Sequence, residues 1–173
     1  MTLLSVRAAA GATRGTLAVG ERTRPCALGR SGMTDSKREG DGGTPIGRFP
    51  LRRLFYRPDR MAMPATGLPA LPLAEDLGWC DDPGEPTQYN RLVRLPFSAS
   101  HERMWRDDGL YDLVVEIGYN DAPPRPGLGS AIFLHLARPD WSPTEGCVAM
   151  QREDLLAVLA AVGPESLIDI APL

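Results

Sequence analysis

The sequence predicts a mainly β fold with a few short helices, and three observations support this prediction. The 173 residues include 17 prolines and 18 glycines, which interrupt helices and favour turns. Several short runs alternate apolar and polar residues with the period of two that is typical of strands. Only one stretch, near the end of the chain, has a clear helical period.

The predicted strands are distributed along the whole chain. "LLSVRAA" and "TLAVG" begin it around a glycine-containing turn, and "RPCALG" adds a third strand. A glycine-rich loop then leads to a strand near residues 49–54, and the recurrent prolines between Pro58 and Pro86 exclude a long helix. "DLVVEIGYN" and "SAIFLHLA" predict buried strands because they are apolar or β-branched, and "SLIDIA" predicts the last strand.

Two stretches predict helices. "SASHERMWRDD" is expected to be a short helix with a serine as its capping hydroxyl. "REDLLAVLAAVG" is the clearer one, since its leucines and valine recur at helical spacing, acids occupy its first turn, and Gly163 and Pro164 end it.

Composition bounds the class of protein. The length predicts a single domain over residues 1–173, and 43% hydrophobic with 24% charged residues is typical of a soluble globular chain. A net charge of -3 without a basic tract argues against a nucleic-acid partner. No stretch has the roughly 18 apolar residues of a membrane span, and no export signal is visible. The three cysteines have no CxxC spacing, so at least one thiol is expected to be free.

The two histidines limit the chemistry that the chain can perform. His101 opens "HERMW", which lacks the second histidine of the HExxH zinc motif. The glycine-rich "GDGGTPIG" lacks the Lys-Ser/Thr of a phosphate-binding loop. Neither a metal nor an organic cofactor is therefore expected.

His135 on a predicted strand and Cys147 twelve positions later form the remaining constellation. If the strand alternates, Phe133 and His135 share one face, and the intervening loop is long enough to bring Cys147 beside the imidazole. A neighbouring histidine can activate a thiol, and Gly146 permits a tight turn there. Free cysteine is also among the most buried residue types, so the residues alone support a catalytic and a structural Cys147 equally.

Longer stretches around these residues resemble a known family. "IFLHLARPDWSPTEGCVAM" resembles the signature of the L,D-transpeptidase catalytic domain, the YkuD-like family, in which a strand histidine precedes a Ser/Thr-x-Gly-Cys turn. "EGDGGTPIGRFPL" resembles the Thr-Pro-x-Gly-x-Phe segment of the same family. The resemblance covers nearly all of the chain and implies an L,D-transpeptidase-like mixed β-sheet sandwich.

The resemblance also implies an activity, that of a cysteine acyltransferase acting on peptidoglycan stem peptides. Cys147 would attack the carbonyl of meso-diaminopimelate in a tetrapeptide donor, release D-alanine and form a thioester. An amine acceptor would then give a 3-3 crosslink or an attached protein. His135 would be the general base and acid, Thr144 the turn hydroxyl, and Gly146 with Cys147 the oxyanion donors. Two alternatives remain open: a hydrolytic L,D-carboxypeptidase or amidase with water as acceptor, and a non-catalytic peptidoglycan-binding domain.

The sequence departs from the family pattern at two positions. Glu145 stands where the family often has histidine, and Ala149 where it often has arginine. A carboxylate near a thiolate raises the pKa of the thiol, so Glu145 would oppose ionisation of Cys147; receiving a substrate ammonium and simple solvation are the alternatives. Residues expected to contact substrate, each with a structural role as its alternative, are Glu145, His101, Trp105, Asn120 and Tyr89.

The resemblance extends to partners and location. Carbapenem-type inhibitors are expected to acylate the cysteine, as they do in the family, and a monomer is expected. The family implies the periplasm or cell envelope, whereas the absence of a visible export signal leaves a cytoplasmic location open.

Overall fold

The computed structural model describes residues 1–173 as fourteen strands and one helix. The strands are β1 (Leu3–Ala8), β2 (Arg14–Val19), β3 (Arg22–Ala27), β4 (Met33–Thr34), β5 (Thr44–Pro45), β6 (Gly47–Tyr56), β7 (Ala70–Pro72), β8 (Leu77–Cys80), β9 (Leu92–Arg94), β10 (His101–Arg103), β11 (Leu113–Ile117), β12 (Phe133–Leu136), β13 (Val148–Met150) and β14 (Leu167–Pro172). The helix α1 (Arg152–Leu159) lies between β13 and β14.

Nine strands form one mixed sheet in the order β11-β12-β13-β3-β2-β1-β14-β6-β7. The long strand β6 pairs with β14 through its first half and with β11 through its second half, so the sheet closes on itself. The pairs β1–β14 and β12–β13 are parallel, whereas most of the others are antiparallel. The fold is therefore mainly β, as the sequence predicts.

A smaller sheet, in the order β10-β8-β9, packs on one face of the large sheet. The contact centres on Trp79 of β8, whose ring meets that of Phe133 of β12 edge to face at 5.1 Å between centroids. Trp79 Nε1 also donates to Asn90 Oδ1 at 2.9 Å, which satisfies its polar edge inside the core. The face of β12 that carries Phe133 is thereby covered by a second layer.

The two faces of β12 belong to two different cores. Leu134 and Leu136 pack in the larger cluster of 23 buried residues, with side chains of β1, β14 and α1. Phe133 packs in the smaller cluster of 9 buried residues, between the two sheets. The predicted alternation is confirmed, and it places His135 on the same side as the smaller core.

The predicted strands are confirmed, and α1 is confirmed with an earlier end, at Leu159. The helix predicted in "SASHERMWRDD" is wrong, because His101–Arg103 is the strand β10, with His101 opposite Cys80 of β8. That stretch has no apolar stripe at helical spacing, so pairing with β8 decides its conformation. The expected few helices are thus reduced to one. No helix of the protein has both the length and the apolar character needed to cross a membrane.

Candidate active site

Strands β12 and β13 bring His135 and Cys147 to the same face of the sheet. In their parallel register His135 lies beside Ala149, and Cys147 directly precedes β13. Because side chains alternate, His135 shares its face with Ala149 and with Cys147, two residues earlier. Both His135 and Cys147 line a cleft of about 560 Å³, between the large sheet, the small sheet and the loops that follow β4 and β10.

The thiol of Cys147 is held by backbone groups at the wall of the cleft. Sγ donates to the carbonyl of Ala131 at 3.2 Å and accepts from the N–H of Phe133 at 3.4 Å. Ala131, whose carbonyl accepts this bond, has a left-handed φ of 53°. Only 7% of Cys147 is exposed, and this is the part that faces the cleft.

Burial raises the pKa of the Cys147 thiol to about 12, and the nearby carboxylate of Glu102 adds to the rise. The Phe133 N–H and the charges of Lys37 and Arg106 act in the opposite direction. The sulfur is therefore protonated at neutral pH.

His135 is held in one tautomer. Nδ1 lies 2.9 Å from the carbonyl oxygen of Leu136, and since a carbonyl only accepts, Nδ1 carries the proton. Nε2 is therefore left with its lone pair. Burial lowers the pKa of His135 to about 4, although the hydrogen bond to Leu136 opposes the shift, so the ring is neutral at neutral pH. The ring of Tyr111 lies edge-on to the imidazole at 5.2 Å between centroids.

Thr144 and Gly146 shape the turn that presents Cys147. Thr144 Oγ1 donates to the carbonyl of Cys147 at 2.6 Å and accepts from the N–H of Gly146 at 3.1 Å. Gly146 has a φ of +134°, and a Cβ there would lie 2.7 Å from the carbonyl oxygen of Gly43. Only glycine fits this position without strain or collision.

The turn is also fixed to the strand segment that follows β3. The N–H of Thr144 donates to the carbonyl of Leu28 at 2.9 Å, and the N–H of Arg30 donates to the carbonyl of Thr144 at 2.8 Å. These two bonds form a parallel bridge between Thr144 and Gly29. The backbone before Cys147 is therefore held on both sides.

One expected role changes in this geometry. The N–H of Gly146 is taken by Thr144 and is not free to stabilise an oxyanion. The N–H of Cys147 donates to no carbonyl of a loop and to no side chain. Of the two expected backbone donors, Cys147 alone is free.

Glu145 lies on the rim of the cleft and does not act on the thiol in the expected way. Its carboxylate pairs with Arg30 at 2.9 Å, and its side chain is 79% exposed. The carboxylate that raises the pKa of Cys147 is that of Glu102. The expectation that Glu145 opposes ionisation of the thiol is wrong, because a solvated and paired charge is screened.

A known protein family matches nearly the whole chain. The family model of YkuD, the L,D-transpeptidase catalytic domain, matches residues 13–170. This chain belongs to the YkuD family. No curated protein is significantly similar to it in sequence.

Two solved structures resemble this YkuD domain. The helical cell shape determining protein Pgp2 from Campylobacter jejuni is 15% identical, with 99% of this chain and 48% of that chain covered and a TM-score of 0.45. L,D-transpeptidase 1 from Mycobacterium tuberculosis is 16% identical, with 98% of this chain and 62% of that chain covered and a TM-score of 0.38. The YkuD domain described here thus spans about half the length of Pgp2 and less than two thirds of the transpeptidase.

The remaining predicted contact residues of the YkuD domain are divided between the cleft and its surroundings. His101 lines the cleft from β10, and its Nδ1 lies 2.8 Å from the carbonyl oxygen of Ala99. Trp105 does not line the cleft; its ring packs against the Arg57 guanidinium at 3.6 Å.

Asn120 and Tyr89 support the loop that leads into β12. Asn120 has a φ of 50°, and its amide donates to the carbonyls of Arg125 and Gly129. Tyr89 is fully buried, donates to the carboxylate of Glu39 and accepts from the N–H of Gly129. Neither side chain lines the cleft, so the structure gives both a role in loop architecture.

Several charged and polar side chains of the cleft carry no signal in the sequence. They come from loops and from β10, and they are Lys37, Glu39, Asp81, Glu102, Arg106, Tyr111 and Arg138. The hydroxyl of Tyr111 donates to Glu102, and the Arg106 guanidinium pairs with Asp108 through two bonds. No group of three or more His, Cys, Asp or Glu side chains is arranged to hold a metal ion.

Proposed function

We propose that this YkuD domain is a cysteine acyltransferase that acts on peptidoglycan stem peptides through a thioester at Cys147. The observation that supports it most is the placement, on one face of one cleft, of a thiol and an imidazole whose Nε2 is unprotonated and unengaged. A protonated thiol and a neutral histidine are the correct starting states for general-base catalysis.

The first half-reaction forms the thioester. His135 Nε2 takes the thiol proton as Sγ attacks the carbonyl carbon of the donor residue, and the oxyanion is stabilised by the N–H of Cys147. The tetrahedral intermediate collapses by breaking the carbon–nitrogen bond. His135 returns the proton to the departing amine, and D-alanine leaves.

The second half-reaction consumes the thioester. An acceptor amine attacks the acyl carbon, His135 takes its proton, the carbon–sulfur bond breaks and the sulfur recovers the proton. With an amine the product is a crosslinked or protein-linked stem; with water it is a shortened stem. The proposal includes a location at the cell envelope, where such stems are found, and acylation of Cys147 by carbapenems.

Product analysis by mass spectrometry tests the proposal. Purified protein is incubated with disaccharide tetrapeptides, and a dimer that has lost one D-alanine is expected. Cys147→Ala should give no product. Cys26→Ala is the matched control, because Cys26 is a fully buried cysteine of the larger core outside the cleft, and it should keep the activity.

The other outcomes contradict different parts of the proposal. A shortened stem without dimer contradicts transfer to an amine and means hydrolysis by the same two residues. No product, together with no carbapenem adduct in the intact-protein mass of the wild type, means a binding domain without catalysis.

A further inference from the structure

Glu102 lies in the wall of the cleft opposite the large sheet. It is the middle residue of β10, pairs with Trp79 of β8, and lines the same cleft as Cys147 and His135. Its position is fixed by the Tyr111 hydroxyl, which donates to Oε1. Since the Tyr111 ring also contacts His135, one side chain connects Glu102 to the proposed base.

The second oxygen of Glu102 has no partner in the protein. Oε2 forms no hydrogen bond, and the Glu102 side chain is 26% exposed. Every buried side-chain oxygen of the protein has a hydrogen-bond partner, so Oε2 is not buried and is open to the cleft. The nearest cation, Arg106, lies 3.9 Å from Oε1 and is committed to Asp108 by two bonds. Burial raises the pKa of Glu102, and the Tyr111 hydroxyl and Arg106 oppose the rise, so the negative charge is only partly compensated.

This charge acts on the thiol. The groups that face Cys147 are Glu102 of β10, Arg106 and Tyr111 of the following loop, His135 of β12, and Lys37 of the loop between β4 and β5. Lys37 is neutralised by Asp41 at 2.5 Å, and Arg106 by Asp108. Burial is the main cause of the raised pKa of Cys147, and among these charges Glu102 adds most to the rise.

We propose that Glu102 is a specificity-determining residue, whose free carboxylate oxygen binds an ammonium group of the acyl donor. The inference rests on the proposed function, in which the donor residue carries both the attacked carbonyl and a side-chain ammonium. An ammonium bound at Oε2 neutralises the charge that opposes a thiolate at Cys147. A donor with the ammonium is therefore both bound and helped to react, whereas a donor without it meets a thiol that resists ionisation.

Thiol alkylation tests the electrostatic part without any turnover. Iodoacetamide reacts with the thiolate, so its rate at mildly alkaline pH follows the thiolate fraction of Cys147, with Cys147→Ala as background for the other thiols. Glu102→Gln keeps the shape and removes the charge, and it should increase the rate about tenfold, the effect of about one pKa unit. Glu145→Gln removes a screened rim charge and should leave the rate unchanged.

A second variant separates charge from packing. Tyr111→Phe removes the hydroxyl that holds Glu102 but keeps the negative charge of its carboxylate, so the alkylation rate should not increase. An unchanged rate in Glu102→Gln, or an equal increase in Tyr111→Phe, would overturn the inference.

Two donor tetrapeptides test the recognition of the ammonium. One has the free side-chain ammonium, and in the other that amine is acetylated. Because the acetylated peptide cannot act as acceptor, both reactions contain the same excess of a stem tripeptide, which supplies the acceptor amine and has no D-alanine to release. The wild type should release D-alanine from the free-ammonium peptide about tenfold faster, and Glu102→Gln should lose most of this preference. Equal rates with the two peptides in the wild type would contradict the inference.

If neither peptide releases D-alanine, the result contradicts the proposed function and not the inference about Glu102. Alkylation in the presence of each peptide then decides the inference by itself. The free-ammonium peptide should accelerate alkylation of the wild type and not of Glu102→Gln, and a failure to do so would refute ammonium binding at Glu102.

Discussion

At the scale of single residues, Cys147 and His135 are both uncharged before the reaction begins. The thiol of Cys147 has a raised pKa and the imidazole of His135 a lowered one, so neither charge is present before substrate binds. Burial therefore keeps Cys147 as a thiol rather than a thiolate. Proton transfer is expected to accompany the attack on the carbonyl.

The lowered pKa of His135 predicts the pH dependence of the reaction. The imidazole must be neutral to accept the thiol proton, and it becomes protonated only as the pH falls through its pKa of about 4. The acid limb of kcat/KM for the free enzyme should therefore have its midpoint near pH 4, below the ordinary histidine value of 6.5. Initial rates of D-alanine release over a range of pH measure it, and a midpoint at the ordinary value would contradict the environment described for His135.

The types of these residues were predictable, whereas their surroundings were not. Cys147, His135 and Thr144 are found from a short motif, because a strand, a turn and a glycine are local features. Glu102 is separated from Cys147 by 45 residues, and it lies in a stretch for which the sequence predicts a helix. Its effect on the thiol is exerted through space, so no spacing rule finds it.

At the scale of elements, the turn before Cys147 depends on Gly146. A side chain there needs an unfavourable φ and collides with the carbonyl of Gly43, so Gly146→Ala must displace the cysteine. The expected result is a loss of at least about 100-fold in kcat/KM, the penalty of a misplaced nucleophile, with destabilisation of about 1–3 kcal/mol. Steady-state kinetics and denaturant unfolding measure the two effects.

Gly163→Ala is the control for this substitution. Gly163 does not have a positive φ, and its nearest neighbour would lie 3.9 Å from an added Cβ, so activity and stability should change little. Wild-type activity in Gly146→Ala would show that the turn does not position the nucleophile.

The short helix α1 packs against the larger core through one buried face. Leu155 is fully buried in the larger core, whereas the adjacent Leu156 is 37% exposed. Leu155→Ala should lower the free energy of unfolding by about 2–4 kcal/mol, because it leaves a cavity. Leu156→Ala should lower it by less than about 1 kcal/mol, since little apolar area is lost. Equal effects in guanidinium unfolding would contradict the orientation of α1.

Elements with their own periodic pattern were predictable, and elements created by pairing were not. β12 and α1 have clear periods of two and 3.6 residues, and both are found in the structure. β10 has only three residues, and its conformation comes from its partner β8. A strand of this length carries too little periodicity to be recognised without that partner.

At the scale of the whole molecule, the two ends of the chain lie side by side in the large sheet. β1 pairs with β14 in parallel over six residues, and Asp169 of β14 binds the guanidinium groups of Arg7 of β1 and Arg48 of β6. The hydrogen bonds and charges of these arginines lower the pKa of Asp169. One carboxylate therefore connects three strands across the closure of the sheet.

This arrangement predicts a pH-dependent contribution to stability. The Asp169 carboxylate is 17% exposed, and Asp169→Asn should lower the unfolding free energy by about 1 kcal/mol at neutral pH, or Tm by about 2–4 °C. Because the folded pKa is lowered, the contribution is present above the unfolded carboxyl pKa and is lost as the pH falls through the folded one. Thermal unfolding of both proteins over acidic pH should show the difference disappearing.

Asp76→Asn is the control, because the Asp76–Arg94 pair is exposed on both sides and should contribute almost nothing. An equal loss of stability in the two variants would mean that the position of Asp169 in the sheet has no special effect.

The sequence by itself determined the mainly β class, most strands, the helix α1 and the order of histidine, turn glycine and cysteine. These features depend on near neighbours in the chain, where backbone preference and side-chain period act directly. Only the tertiary structure decided that β10 is a strand, that Gly146 cannot supply a free donor, and that Glu102 rather than Glu145 acts on the thiol. Burial and Coulomb interactions depend on distance in space, and the folding of the closed sheet against the small one sets those distances.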